Sequence, residues 1–353
     1  MRVVIIGAGE IGSNLARSLS TSHKEVVVVD TDEARITALE DGLDVETLLG
    51  SGADPGVLRQ AGLDRASLFI AVTDRDETNM MSVSIASQYL PEDAKCIARL
   101  RDRVYYDDPQ LHARFGLDLV INPEGLLAEK IRRIMDIPGA HDVLEFEEGR
   151  VLVVAFRAVG NGPLCGKTVA QLGKQRRHLD FVIGAILRPP GPGGMRQKVI
   201  IPWGNDSVQP GDLVYFVIPR DALPALCAWV CPEAQPARSV LVGGGGENSI
   251  RIADVLSRAG YRTRLMIPKA DQARAASERL EKAMVLTADC VELEALADIL
   301  AEGIDTYVAA TKSEAVNALT AMMARRLGTR RTFTVTNRFD FMRMIKSVHD
   351  GVV

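Results

Sequence analysis

The 353-residue chain has no long apolar run: its longest, such as Val151–Phe156, fall far short of the roughly 20 residues a helix needs to cross a bilayer. Met1 is followed at once by a strand-like segment, which leaves no room for a signal peptide, so a soluble, cytoplasmic protein is expected. No charge sign is in excess either. With 42 basic and 46 acidic side chains the formal charge is −4, and neither nucleic acid nor an anionic membrane surface is indicated as the main partner. Cysteines are few and scattered. Only Cys227 and Cys231 are close, without a second pair or nearby histidines, which argues against zinc and for reduced thiols. The chain also lacks HExxH, a nucleophile elbow and a lysine-bearing phosphate loop. Its histidines (His23, His112, His141, His178 and His349) do not follow strands of the first predicted sheet, and none has an obvious carboxylate to orient it. Apolar residues at 47% and charged residues at 25% are ordinary globular values, and the length suits two or three domains.

Against these absences stands one strong pattern at the start. Val3 to Ile6 reads as a fully apolar strand, Gly7-Ala8-Gly9-Glu10-Ile11-Gly12 turns it into a helix over Ile11–Leu19, and Val26–Val29 forms a second strand ending in Asp30. This is the spacing of a dinucleotide-binding βαβ unit. Gly7 permits the tight turn, Gly9 lets the backbone approach a pyrophosphate, and Gly12 brings helix against strand. Phosphates would lie over the helix N-terminus, where the dipole favours negative charge. Asp30 can accept hydrogen bonds from ribose hydroxyls and would repel a 2′-phosphate.

Up to about residue 138 strands and helices alternate strictly. Strands are expected at Arg2–Ile6, Glu25–Val29, Val45–Leu49, Leu68–Ala71, Lys95–Leu100 and Leu117–Ile121, which predicts a doubly wound parallel α/β sheet. Their carboxyl ends bring Asp30, Thr73, Asp74 and Arg99 to one crevice. Asp76 and Asn79 open the following helix and can equally serve as caps. A helix over Glu124–Met135 ends at Asp136-Ile-Pro-Gly-Ala140. Short strands follow at Val143–Phe146, Val151–Phe156, Phe181–Leu187, Lys198–Ile201 and Leu213–Val217, with helices near Thr168–Arg177 and Asp221–Val230, giving a small α+β domain over 139–234. Arg188–Arg196, rich in proline and glycine, reads as a mobile hairpin tip. From Arg238 the first pattern begins again: a strand at Ser239–Val242, a turn of four glycines, a helix over Ile250–Ala259 and a strand at Tyr261–Ile267. Thr311 and Asn317 mirror Thr73 and Asn79. The repeat departs from the first unit at Ser249, where the third glycine should be, at Pro268-Lys269, where the acid should be, and at Lys312, in place of Asp74. It is therefore expected to bind a dinucleotide poorly or not at all, and the chain is expected to be truncated within it, giving domains 1–138, 139–234 and 235–353.

The order of these motifs carries a resemblance. Gly7-Ala-Gly9-Glu-Ile-Gly12, Val29-Asp30-Thr31, Val72-Thr73-Asp74 with Asp76-Glu-Thr-Asn-Met80, Ile97-Ala-Arg99-Leu-Arg101, and Pro123-Glu124 leading to Ile137-Pro-Gly-Ala140 resemble the TrkA family. These are cytosolic regulatory subunits of bacterial Trk potassium uptake systems, built from domains that regulate potassium conductance (RCK domains). Gly162-Pro-Leu164-x-Gly166 and Pro210-Gly-Asp212-x-Val-x-Phe216 resemble the family's small C-terminal subdomain. The resemblance implies NAD(H), ATP or ADP as ligands, a homo-oligomeric, tetrameric ring, and a membrane potassium-translocating partner of the TrkH or TrkG type. It also implies that Gly7, Ala8, Gly9, Glu10, Ile11, Asp30, Thr73, Asp74 and Arg99 hold the nucleotide, while the missing motifs and scattered histidines and cysteines lead to the expectation of no catalytic residues and no metal. The chain then acts as a sensor without being an enzyme. An NAD-dependent oxidoreductase, or a regulatory domain of another cation channel or exchanger, is the alternative.

Overall fold

The computed structural model describes residues 1–174, 179–191 and 197–336. These form two compact units, Met1–Pro123 and Glu124–Val353.

In the first unit the strands are β1 (Arg2–Ile6), β2 (Glu25–Asp30), β3 (Glu46–Leu49), β4 (Ala66–Ala71), β5 (Lys95–Arg99) and β6 (Leu119–Ile121). All are parallel, in the order β3-β2-β1-β4-β5-β6. Beyond Arg2 the central strand is apolar because both its faces are covered. Val4, Ile6, Val27, Val29 and Phe69 pack into one core and Val3, Ile5, Val26, Val28 and Ile70 into another. The strand order reverses between β1 and β4, and the crevice at such a switch point is where doubly wound sheets take ligands. Strand β6 starts two residues later than the sequence suggests. Asp118 just before it accepts the Cys96 amide (2.8 Å) and pairs with Lys95 (2.7 Å), so its side chain serves β5.

The second unit contains two sheets. In the antiparallel one, β7 (Ala140–Phe146), β8 (Val151–Arg157), β9 (Val182–Arg188), β10 (Lys198–Ile200) and β11 (Leu213–Pro219) lie in the order β10-β9-β11-β8-β7. Burial alternates along β11, the mark of a sheet with one covered face. On that face Phe216 meets Phe156 and Phe181 edge-on (ring centroids 6.1 and 5.5 Å apart), and Trp229 closes the group at 5.7 Å from Phe181. Phe181 belongs to this group and precedes β9. The helix Pro123–Asp136 adds Ala128, Ile131, Ile134 and Met135 to the core. The expected helix near Thr168 runs over Val169–Gly173, started by a capping box between Thr168 and Gln171. Its expected end and the tip of the proline-rich hairpin lie outside the described residues.

The second parallel sheet holds β12 (Ser239–Gly243), β13 (Arg262–Ile267), β14 (Met284–Thr287), β15 (Thr306–Ala309) and β16 (Arg331–Thr334), in the order β14-β13-β12-β15-β16. This repeats the first five positions of the first sheet. Where a sixth strand would come, the chain lies outside the described residues.

Candidate functional site

At the carboxyl end of β1 the three glycines have three different structural reasons. Gly7 has φ +102°, a left-handed conformation that other residues adopt with strain. A Cβ on Gly12 would lie 1.8 Å from the Gly7 carbonyl oxygen, so the helix Glu10–Ser20 can dock only without one. Gly9 differs, because a Cβ there would meet nothing closer than the Arg35 guanidinium at 4.0 Å. Folding accounts for Gly7 and Gly12, and leaves Gly9 bare over open space. No side chain caps the helix that Gly9 begins. Ala8 is buried beneath the turn, Glu10 is exposed in the first helical turn, and Ile11 is partly buried against the core.

Asp30, at the end of β2, is buried, and its carboxylate accepts the Ala8 amide (2.5 Å) and the Asp32 amide (2.8 Å). It thus ties the glycine turn to the second strand while lining the crevice. Arg35, on the helix Glu33–Glu40, lies 3.8 Å from Asp30 and 3.3 Å from Asp32 and reaches toward Gly9. The sequence gives no signal for it, since it reads as one of many helix-surface arginines.

Across the crevice, Thr73 and Asp74 follow β4. The Thr73 hydroxyl donates to Asn79 Oδ1 (2.7 Å) and accepts from the Arg75 amide (3.2 Å), so it is committed to its own loop. Asp74 is exposed, and its carbonyl accepts from Arg101. Arg99, partly buried, ends β5. Asp76 and Asn79 prove to be joints of the framework. The Asp76 carboxylate accepts the Arg101 and Asp102 amides, both at 2.8 Å. Asn79, fully buried, bridges the ends of β4 and β5 through the Thr73 and Arg99 carbonyls.

The second parallel sheet repeats the framework with other side chains. Asn317 holds Thr311 and the Val335 carbonyl as Asn79 holds Thr73 and Arg99. Gly244, at φ +138°, takes the place of Gly7. Ser249 is accommodated where Gly12 stood, its hydroxyl donating to the Gly246 carbonyl at 2.7 Å. The acid is absent: Pro268 and Lys269 are exposed after β13, and the Lys312 side chain passes about 4 Å from where a Gly246 Cβ would be.

Of the histidines in the described residues, His112 meets the Tyr105 carbonyl (2.7 Å), His141 lies 3.4 Å from Arg157 Nε, and His23 sits in an exposed turn. His178 and His349 lie outside them. Among the described residues no cluster of three metal-ligating side chains exists, and no helix is long and apolar enough to cross a membrane.

The TrkA-N domain description matches residues 3–123 and again 240–352, and the TrkA-C domain description matches 153–230. The Trk system potassium uptake protein TrkA of Halomonas elongata is 33% identical over 98% of this chain and 74% of its own. A TrkA homolog of Archaeoglobus fulgidus is 29% identical over 99% and 76%. Among solved structures, the GsuK RCK domain aligns over all of this chain and 73% of its own at 18% identity, with a TM-score of 0.75. The GsuK channel bound to NAD aligns over all of this chain and 61% of its own at 18% identity, also with a TM-score of 0.75, and the likeness to both is one of fold. Two tandem matches to one domain description cover most of the residues, and a relative one-third identical spans nearly all of them; the chain belongs to the TrkA family of Trk system potassium uptake proteins.

Proposed function

We propose that the chain is a cytosolic, nucleotide-sensing gating subunit of a Trk-type potassium uptake system, acting by conformational change and catalysing no reaction. One observation carries this reading: Gly9 is bare where folding does not require it, and it opens beside the buried carboxylate of Asp30 at the switch point of the first sheet. Gly7 to Ile11 would approach the pyrophosphate through their backbone, Asp30 would accept ribose hydroxyls, and Thr73, Asp74 and Arg99 would line the far wall. The carboxylate favours NAD(H), ATP or ADP over a ribose carrying a 2′-phosphate. Neighbours of like fold are described as bound to NAD and to ADP, in support. The second crevice, without the acid, would be degenerate. We read the chain as three domains, 1–138, 139–234 and 235–353. It would form a ring, tetrameric by family analogy, on the inner face of the membrane against a TrkH- or TrkG-type potassium-translocating subunit. A ligand shifts such a gate only by its difference in affinity for the two states.

Calorimetric titration of the purified protein with NADH, NAD, ATP and ADP, beside Asp30→Ala, tests the site. Each lost hydrogen bond to a charged group is worth about 1.5–3 kcal/mol, so affinity should fall at least ~10-fold, and Asp30→Asn, which keeps an oxygen for the Ala8 amide, checks that the loss is not that of the turn itself. Unaltered affinity in the variant would remove the crevice as the site.

A further inference from the structure

The antiparallel sheet of the second unit is apolar on both faces. Its inner face packs into the core around Phe216. On the outer face Leu144, Val153, Val217 and Val182 lie directly opposite one another, one on each of β7, β8, β11 and β9. Phe146 stands opposite Val151 at one end of this face, and Leu213 opposite Leu187, itself opposite Val199, at the other. Between them Tyr215 is half-buried, its hydroxyl donating to Asp142 at 3.4 Å.

An antiparallel sheet open to water on one side normally turns polar residues to it, whereas strands covered on both sides read as unbroken apolar runs. Strands β8 (Val-Leu-Val-Val-Ala-Phe-Arg) and β11 (Leu-Val-Tyr-Phe-Val-Ile-Pro) are such runs. Yet the outer face stays open within the described residues: Leu144, Phe146, Val182 and Val199 are 44–64% exposed. Ile201 and Trp203, the next alternate positions after Val199, are 70% and 80% exposed, and a tryptophan beside an apolar patch is characteristic of a contact surface.

We propose that this face is the contact surface for a second copy of the chain, the two sheets stacking face to face about a two-fold axis. Its charge selects that occupant. Asp142 on β7 and Arg157 on β8 are its charged members, so the face is neutral, meets its own copy without repulsion and has no basic excess to draw an anionic lipid surface. Its size agrees. Five strands of up to seven residues span roughly 24 Å on a side, on the order of 500 Å² per copy, so a stacked pair buries about the 1,000 Å² that a specific interface needs. No residue of the first crevice takes part, so the contact stands whether or not a nucleotide binds there.

Sedimentation velocity of the full chain across the micromolar range tests this. Leu144 and Val182 end the central row and are exposed, so Leu144→Lys/Val182→Lys changes the face without entering the core, to be checked by an unchanged thermal midpoint. The parent should associate reversibly, and the lysine variant should need at least ~10-fold more protein to do so, because its contact must bury unpaired like charges. Copies carrying Leu144→Glu/Val182→Glu should be equally impaired alone and should associate again when mixed with the lysine variant, a recovery that neither misfolding nor an interface elsewhere produces. A parent that is monomeric throughout, association untouched by the lysines, or no recovery on mixing overturns the proposal. A monomeric parent that instead co-sediments with phosphatidylcholine vesicles also overturns it and assigns the face to lipid.

Discussion

Asn79 grips Thr73 from three directions: its oxygen accepts the Thr73 amide (2.9 Å) and hydroxyl (2.7 Å), and its nitrogen donates back to the Thr73 carbonyl (3.2 Å). The same nitrogen reaches the Arg99 carbonyl at 2.8 Å, so one buried amide fixes the lip of the crevice to two strands. Asn79→Ala strands several of these groups away from water. We expect it to lower unfolding free energy by about 2–4 kcal/mol in urea denaturation, and Asn317→Ala to do the same in the second unit. A loss under about 0.5 kcal/mol would mean that the clamp is dispensable.

Gly9 and Gly12 separate binding from folding. Gly12→Ala drives a Cβ into the Gly7 carbonyl and should destabilise by about 3 kcal/mol, the upper end of ordinary overpacking. Gly9→Ala, whose Cβ would meet open space, should leave the thermal midpoint nearly unchanged while weakening nucleotide binding at least ~10-fold. Equal affinity in Gly9→Ala and the parent would contradict the proposed approach of the pyrophosphate.

Asp212 is fully buried and shares two 2.9 Å hydrogen bonds with Arg188 across the antiparallel sheet, with a third from the Gln209 amide at 2.8 Å. Removing one partner of a buried pair leaves the other charge uncompensated. Arg188→Met should therefore cost about 3–5 kcal/mol by chemical denaturation. A cost below about 1 kcal/mol would show that the carboxylate finds water instead.

Burial, with the nearby Cys231 adding to it, pushes the Cys227 thiol up to about 11. The folded value lies above the ordinary one of 9.0, so the thiol's contribution to stability is complete below pH 9 and fades as pH rises through about 11. Alkylation of Cys227, followed by mass spectrometry of its peptide, should be slow at neutral pH and rise with a midpoint near 11. A midpoint at or below 9 would refute the buried setting.

The turn at the first crevice was legible because it is written in consecutive residues. Gly7 and Gly12 are fixed by backbone geometry, and Asp30 by the length of one helix and one strand. Asp76 and Asn79 were legible only as polar residues opening a helix; that both join β5 to its neighbour depends on hydrogen bonds across twenty or more positions. Arg35 and Arg331 gave no signal at all, for a helix-surface cation and a strand-end cation look alike in sequence. The cavity at the amino ends of β15 and β16 gathers residues from 134 to 333, and only tertiary packing brings them together. Strand edges moved where a side chain had another task, as Phe181 does in the aromatic group.

That aromatic group also decides what light can report. Both tryptophans of the chain, Trp203 and Trp229, belong to the second unit, one exposed and one packed near Phe181 and Phe216. Their emission therefore reports the packing of the second unit, and a denaturation curve followed by tryptophan alone describes that part of the molecule directly. Their confinement to the second unit makes them receivers of any coupling between the units. A shift in tryptophan emission on adding NAD, present in the parent and gone in Asp30→Ala, would be the first unit's occupancy read out in the second.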